Sequence, residues 1–166
     1  MVAYTIANLA ANKVNVGTSA SHHDNSSKMY RMEVDLDFAA ITAQRSADGL
    51  TALATSDTLQ ILNIPAKTFV LAVGIDVTTA DGTASTVDIG ETGGDVDGYI
   101  NGHDCNAVGS ACSVNNTLVE GTPNLFEPAL GNGKYYGSAD TIDMLFITAP
   151  QDASVMRVWA VCIDCS

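Results

Sequence analysis

Four cysteines and three histidines are the residues best suited to chemistry in this chain of 166. Cys162-Ile163-Asp164-Cys165 has the Cys-x-x-Cys spacing that grips a metal, and His103, Cys105 and Cys112 could complete a zinc set. A structural zinc site presents two tight ligand pairs on turns. Here one pair closes a strand-like run, and Cys105 and Cys112 are separated by six residues. Loop thiols, with Cys162 as a small core hydrophobe, are the simpler reading. His22 and His23 sit in a polar stretch that offers catalysis no fixed geometry. The sequence holds neither a Gly-x-Ser-x-Gly elbow nor a phosphate-binding glycine loop.

Calcium is the other candidate ligand. Between Lys67 and Lys134 there is no Lys or Arg, yet the interval holds Asp76, Asp81, Asp88, Glu91, Asp95, Asp97, Asp104, Glu120 and Glu127. Carboxylates on glycine-rich loops suit a hard cation. However, Asp95-Val96-Asp97-Gly98 brings its glycine too early for an EF-hand loop, and a solvated acidic rim accounts for the same residues. The expectation is no catalytic residue, no resident metal and no cofactor.

The bulk composition narrows the partners. The 7 basic and 19 acidic residues leave a net charge of −12, with 46% hydrophobic and only 16% charged residues. A chain this acidic has no broad basic face for nucleic acid or for an anionic membrane. No run reaches the roughly 18 apolar residues of a membrane span, and the first residues lack the basic and apolar regions of a secretory signal. The cytoplasm is the expected place of synthesis.

These residues must be positioned by strands. Residues 1–28 are polar and aperiodic, and read as an extended or disordered arm with little beyond Val14 and Val16 to bury. Residues 29–166 read as a single domain. Tyr30, Met32, Val34, Leu36 and Phe38 alternate with Arg31, Glu33, Asp35 and Asp37, the period of a half-buried strand. Residues 39–56 suit a short helical turn or a loop. A strand over 59–64 is closed by Pro65. Over 68–79, Phe69, Leu71, Val73, Ile75 and Val77 share one face, while Val70, Ala72 and Gly74 make the other apolar too. Asp81-Gly82 predicts a tight hairpin returning along 86–89. Residues 90–134 read as long loops with short strands at Tyr99-Ile100 and Leu118-Val119. Strands over 141–148 and 155–163, turning at Pro150, predict a final hairpin with Trp159 in the core. The fold class expected is all-β, an antiparallel sandwich or jelly-roll-like barrel.

The run Met29-Tyr30-Arg31-Met32-Glu33-Val34-Asp35-Leu36-Asp37-Phe38, followed by Ile64-Pro65-Ala66-Lys67-Thr68-Phe69-Val70-Leu71-Ala72-Val73-Gly74, resembles small virion structural proteins of tailed bacteriophages. Those of cyanobacterial and marine phages are the most similar. Val87-Asp88-Ile89-Gly90-Glu91, Gly98-Tyr99-Ile100, Ser138-Ala139-Asp140-Thr141-Ile142 and Arg157-Val158-Trp159-Ala160-Val161-Cys162 fit the same pattern. The resemblance implies a non-enzymatic, β-rich decoration or cement protein on the capsid surface. It further implies the major capsid protein as partner and a homo-oligomer, with a trimer favoured. The alternatives are a glycan-binding knob of a head or tail fibre, using Tyr99, Tyr135, Tyr136 and Phe126, or a minor head–tail subunit.

Overall fold

The computed structural model describes residues 4–5, 17–18, 28–113, 133–148 and 153–166. Its strands are β1 (Tyr4–Thr5), β2 (Gly17–Thr18), β3 (Lys28–Asp37), β4 (Thr58–Ile64), β5 (Thr68–Thr79), β6 (Thr86–Gly90), β7 (Ile100–Asp104), β8 (Gly109–Cys112), β9 (Lys134–Tyr136), β10 (Asp140–Phe146) and β11 (Val155–Asp164). A helix, α1 (Phe38–Ala47), follows β3. The predicted strand at Leu118-Val119 lies outside the described residues.

The period-two run of β3 buries Met32, Val34 and Leu36 and turns Glu33, Asp35 and Asp37 outward. Asp37 then stops the strand and starts the helix. Its backbone is extended, and its carboxylate accepts the Ala40 N–H at 3.1 Å, the usual N-cap geometry. Phe38, Ile41 and Arg45 form the buried stripe of α1. The Arg45 guanidinium donates to the Thr51 carbonyl at 3.0 and 2.8 Å. The sequence predicted at most a helical turn here. A ten-residue helix forms because the cap and one narrow stripe suffice once β3 and the core hold it.

The strands make two sheets, ordered β1-β4-β10-β6-β7 and β2-β3-β11-β5-β8, with β9 on the same edge of β5 as β8. Apart from the edge pairs made by β1 and β2, the chain is a long ribbon folded at β6·β7 and rolled so that β5 meets β11 and β6 meets β10. This is the jelly-roll form of the expected antiparallel sandwich. Val34, Leu36, Ile75 and Val158 from one sheet and Leu59, Ile89, Ile142 and Met144 from the other fill the core between them.

Two predicted hairpins are instead crossovers between sheets. Asp81-Gly82 does turn the chain, with φ +82° at Gly82, but β6 does not return along β5. Both edges of β5 are taken, by β11 on one side and by β8 and β9 on the other. The Asp81 carboxylate is buried and accepts the Ala153 N–H and the Thr83 hydroxyl, each at 3.0 Å. Likewise β10 lies between β4 and β6, and β11 between β3 and β5. The turn at Pro150 itself lies outside the described residues.

The two apolar faces of β5 also have one cause. Val161 pairs with Ala72 and Cys162 with Val70, so Leu71 is an extra residue that faces solvent. This bulge flips the phase of the strand: Val70 points inward below it, and Val73, Ile75 and Val77 point inward above it.

Trp159 is not in the core, contrary to the sequence reading. The inward face of β11 carries Met156, Val158, Ala160 and Cys162, and Trp159 stands half-buried on the outside. Its indole covers Gly74, where a Cβ would lie 2.2 Å from the ring, and its Nε1 donates to Asp76 at 3.2 Å. The Arg31 guanidinium sits 5.3 Å from the ring centroid. Trp159→Ala should therefore cost about 1–2 kcal/mol, from one cation–π contact and one cross-strand cover, rather than the roughly 3–5 kcal/mol of a core aromatic. Urea denaturation of the variant checks this; a loss above that window would put the indole in the core.

Candidate functional site

Among the described residues, the acidic interval does not converge on a point. Asp88 Oδ1 accepts the Gly102 N–H at 2.6 Å, Asp97 accepts the Asn101 side chain at 2.6 Å, and Asp104 accepts the Asn106 N–H at 2.8 Å. Asp95 closes its loop through its carbonyl, which accepts the N–H groups of Glu91 and Gly98. Gly90 allows that closure: a Cβ there would lie 2.1 Å from the Asp95 oxygen. Burial raises the pKa of Asp88, against the lowering effect of its bond from Gly102. The carboxylates of Asp97 and Asp104 brace local turns, and that of Asp88 ties β6 to β7. Glu120 and Glu127 lie outside the described residues.

The thiols are scattered in the same way. Cys105 and Cys162 are buried, Cys112 is half-buried and Cys165 is exposed, all as free thiols. Burial pushes Cys105 up to about 12 and Cys162 up to about 11, so neither is a nucleophile at neutral pH. Cys162 faces the core while Cys165 follows the end of β11, so the Cys-x-x-Cys pair does not share a face. His103 lies on β7, where burial lowers its pKa. Among the described residues, no group of three or more His, Cys, Asp or Glu side chains is placed to hold a metal ion. His22 and His23 fall outside the described residues.

The most developed polar arrangement is a buried network that sequence reasoning missed. Glu91, at the end of β6, forms an ion pair with Lys134 through Oε2 and accepts the Tyr136 hydroxyl through Oε1. Tyr136 and Tyr99 share a hydrogen bond of 2.9 Å between their hydroxyls. Lys134 Nζ also sits 4.9 Å from the centre of the Tyr136 ring. Burial, ahead of the neighbouring Glu91, raises the pKa of Tyr136, and burial likewise raises that of Tyr99. Both phenols therefore keep their protons and can donate. The network ties the β6–β7 end of one sheet to β9 of the other. It has no activated nucleophile, and its Tyr99 and Tyr136 rings are buried rather than offered to a sugar. Tyr135 alone of that aromatic set is exposed among the described residues, while Phe126 lies outside them.

No protein-family model matches the chain, and no curated protein matches it in sequence. Solved structures do. A chain of the cyanophage Pam1 capsid asymmetric unit aligns with TM-score 0.53 and 14% identity over 90% of this chain and 94% of its own length. The fold is that of phage capsid chains. A chain of the capsid of Ralstonia phage GP4 aligns with TM-score 0.51 and 11% identity over 96% of this chain and 97% of that one. A chain of the acid-stable capsid structure of Helicobacter pylori bacteriophage KHP30 gives TM-score 0.51 and 10% identity, over 83% and 89%.

Proposed function

We propose that the protein is a structural component of a bacteriophage virion, a decoration (cement) protein on the capsid surface. The observation that carries this reading is that its likeness to phage capsid chains runs nearly the full length of both partners, 96% and 97% in one case. The jelly-roll body, with carboxylates spent on bracing turns, gives a stiff block suited to bridging neighbours. The partner is the major capsid protein, and the protein acts as a homo-oligomer, a trimer by preference, made in the host cytoplasm. Residues 1–28, of which Tyr4–Thr5 and Gly17–Thr18 pair with the edges of the two sheets, serve as an arm between the shell and the body formed by residues 29–166. A ligand that binds only the assembled shell stabilises it by mass action, by about 2.7 kcal/mol per site at a hundredfold excess over Kd. With a net charge of −12 on the chain, the acidic interval between Lys67 and Lys134 faces away from packaged DNA.

The test uses shells assembled from the major capsid protein of the same phage, prepared without this chain. Added protein should co-sediment to saturation and raise the temperature at which the shells disassemble. Failure to co-sediment would exclude the cement role.

A further inference from the structure

The connection between β6 and β7 folds back over the outer face of its own sheet. On β10, Ile142, Met144 and Phe146 point into the core, so Asp143 and Leu145 point the other way. Asp143 stands opposite Gly90 of β6, and Leu145 opposite Thr58 of β4. The connection covers them. Thr92 N–H donates to Asp143 Oδ2 at 3.0 Å, and Gly90, having no Cβ, lets the backbone of Asp95 and Val96 close over it. Thr58, Glu91, Thr92, Val96, Asp143 and Leu145 line the small hollow that results, with Thr92 and Val96 on its exposed side.

The charges around this hollow do not balance. Glu91 and Asp143 are both buried, and Lys134 is paired with Glu91. Asp143 is only 4% exposed, and its Oδ1 has no hydrogen-bond partner among the described residues. A bare, buried carboxylate oxygen is costly, and native proteins supply such an atom with a water or an ion. The hollow has no room for a water molecule. A dehydrated calcium ion packs closer to oxygen, at about 2.3–2.6 Å against about 2.8 Å for water.

We infer that the hollow is a calcium site that pins the β6–β7 connection to the sheet. Asp143 Oδ1 is the principal ligand, and the Glu91 carboxylate and the hydroxyls of Thr58 and Thr92 supply further oxygens. No sequence pattern marks this set, because Asp143 lies outside the acidic interval and reaches Glu91 only through the pairing of β10 with β6. Magnesium, which keeps several waters, does not suit a hollow with no room for one. Neither the shell nor the oligomer enters, so the site stands or falls apart from the virion role.

Thermal melting of the full chain tests it, after treatment with chelator and return to calcium, magnesium or sodium chloride at matched ionic strength. Calcium should raise the melting temperature saturably, by roughly 5 °C at a hundredfold excess over Kd. Titration calorimetry should count one calcium per chain, with Kd on the order of 10⁻⁴ M. Asp143→Asn keeps an oxygen for the Thr92 N–H and removes the buried charge. It should melt above the calcium-free parent and ignore calcium. Asp140→Asn, at the exposed start of the same strand, should keep the full calcium response. A parent that binds no calcium would overturn the site, and that result decides even where Asp143→Asn fails to fold. An Asp143→Asn protein that still responds would overturn it as well. So would equal shifts from magnesium or sodium, which would reflect diffuse screening of a net charge of −12.

Discussion

Lys134→Met should lower stability by about 3 kcal/mol, and Glu91→Gln by less than half of that. The asymmetry follows from burial. The Glu91 side chain is only 5% exposed, while that of Lys134 is 34% exposed. Removing Lys134 strands a carboxylate with the Tyr136 hydroxyl as its remaining side-chain donor. Removing the charge of Glu91 leaves an ammonium that can swing into water, and an amide that still accepts from Tyr136. The double variant should recover part of the Lys134→Met loss, because a buried pair deleted together leaves no orphaned charge. Urea denaturation of all three variants, read as a double-mutant cycle, measures this. Equal losses from the two single changes would mean that Glu91 reaches solvent and that the network is not buried as described.

Strands were legible in the sequence where one face is buried without interruption. The alternation of β3 needs no knowledge of its neighbours, and its apolar set Met32, Val34 and Leu36 is the set buried. Pairing was not legible. Asp81-Gly82 has the chemistry of a tight turn, and it does turn the chain, but turn chemistry carries no information on which sheet the next strand joins. That choice is made by distant strands competing for edges: β11 and β8 occupy the two edges of β5 and leave none for β6. The inward phase of β11 was hidden for a related reason, since Val155, Val161 and Ile163 are as apolar as Val158 and Ala160. Only the bulge at Leu71 and the covering of Gly74 by Trp159 reveal which side is out. The Glu91–Lys134 pair spans 43 positions. In sequence, Lys134 marked only the end of an acidic interval, with nothing local to point at its partner.

Phe38 offers the sharpest test of how the two sheets are joined. It is the last apolar residue in the β3 alternation, and it is also the first residue of α1, fully buried. Its ring meets Phe146 of the opposite sheet edge-on, with centroids 5.8 Å apart and planes at 84°. Its backbone N–H donates to the Ser154 carbonyl just before β11. One side chain thus closes the end of the sandwich where the helix departs. Phe38→Ala removes a large ring from a place where backbone ties on both sides resist collapse, and should cost about 3–5 kcal/mol. For a chain of this length that lowers the melting temperature by roughly 10 °C. Phe38→Leu, which keeps most of the volume but loses the edge-on contact, should cost about 1–2 kcal/mol. The comparison with Trp159→Ala decides the matter: the larger ring on the outer face must matter less than the smaller one inside. A melt in which Trp159→Ala is the more damaging of the two would mean that the inner and outer faces of the sheet have been assigned the wrong way round.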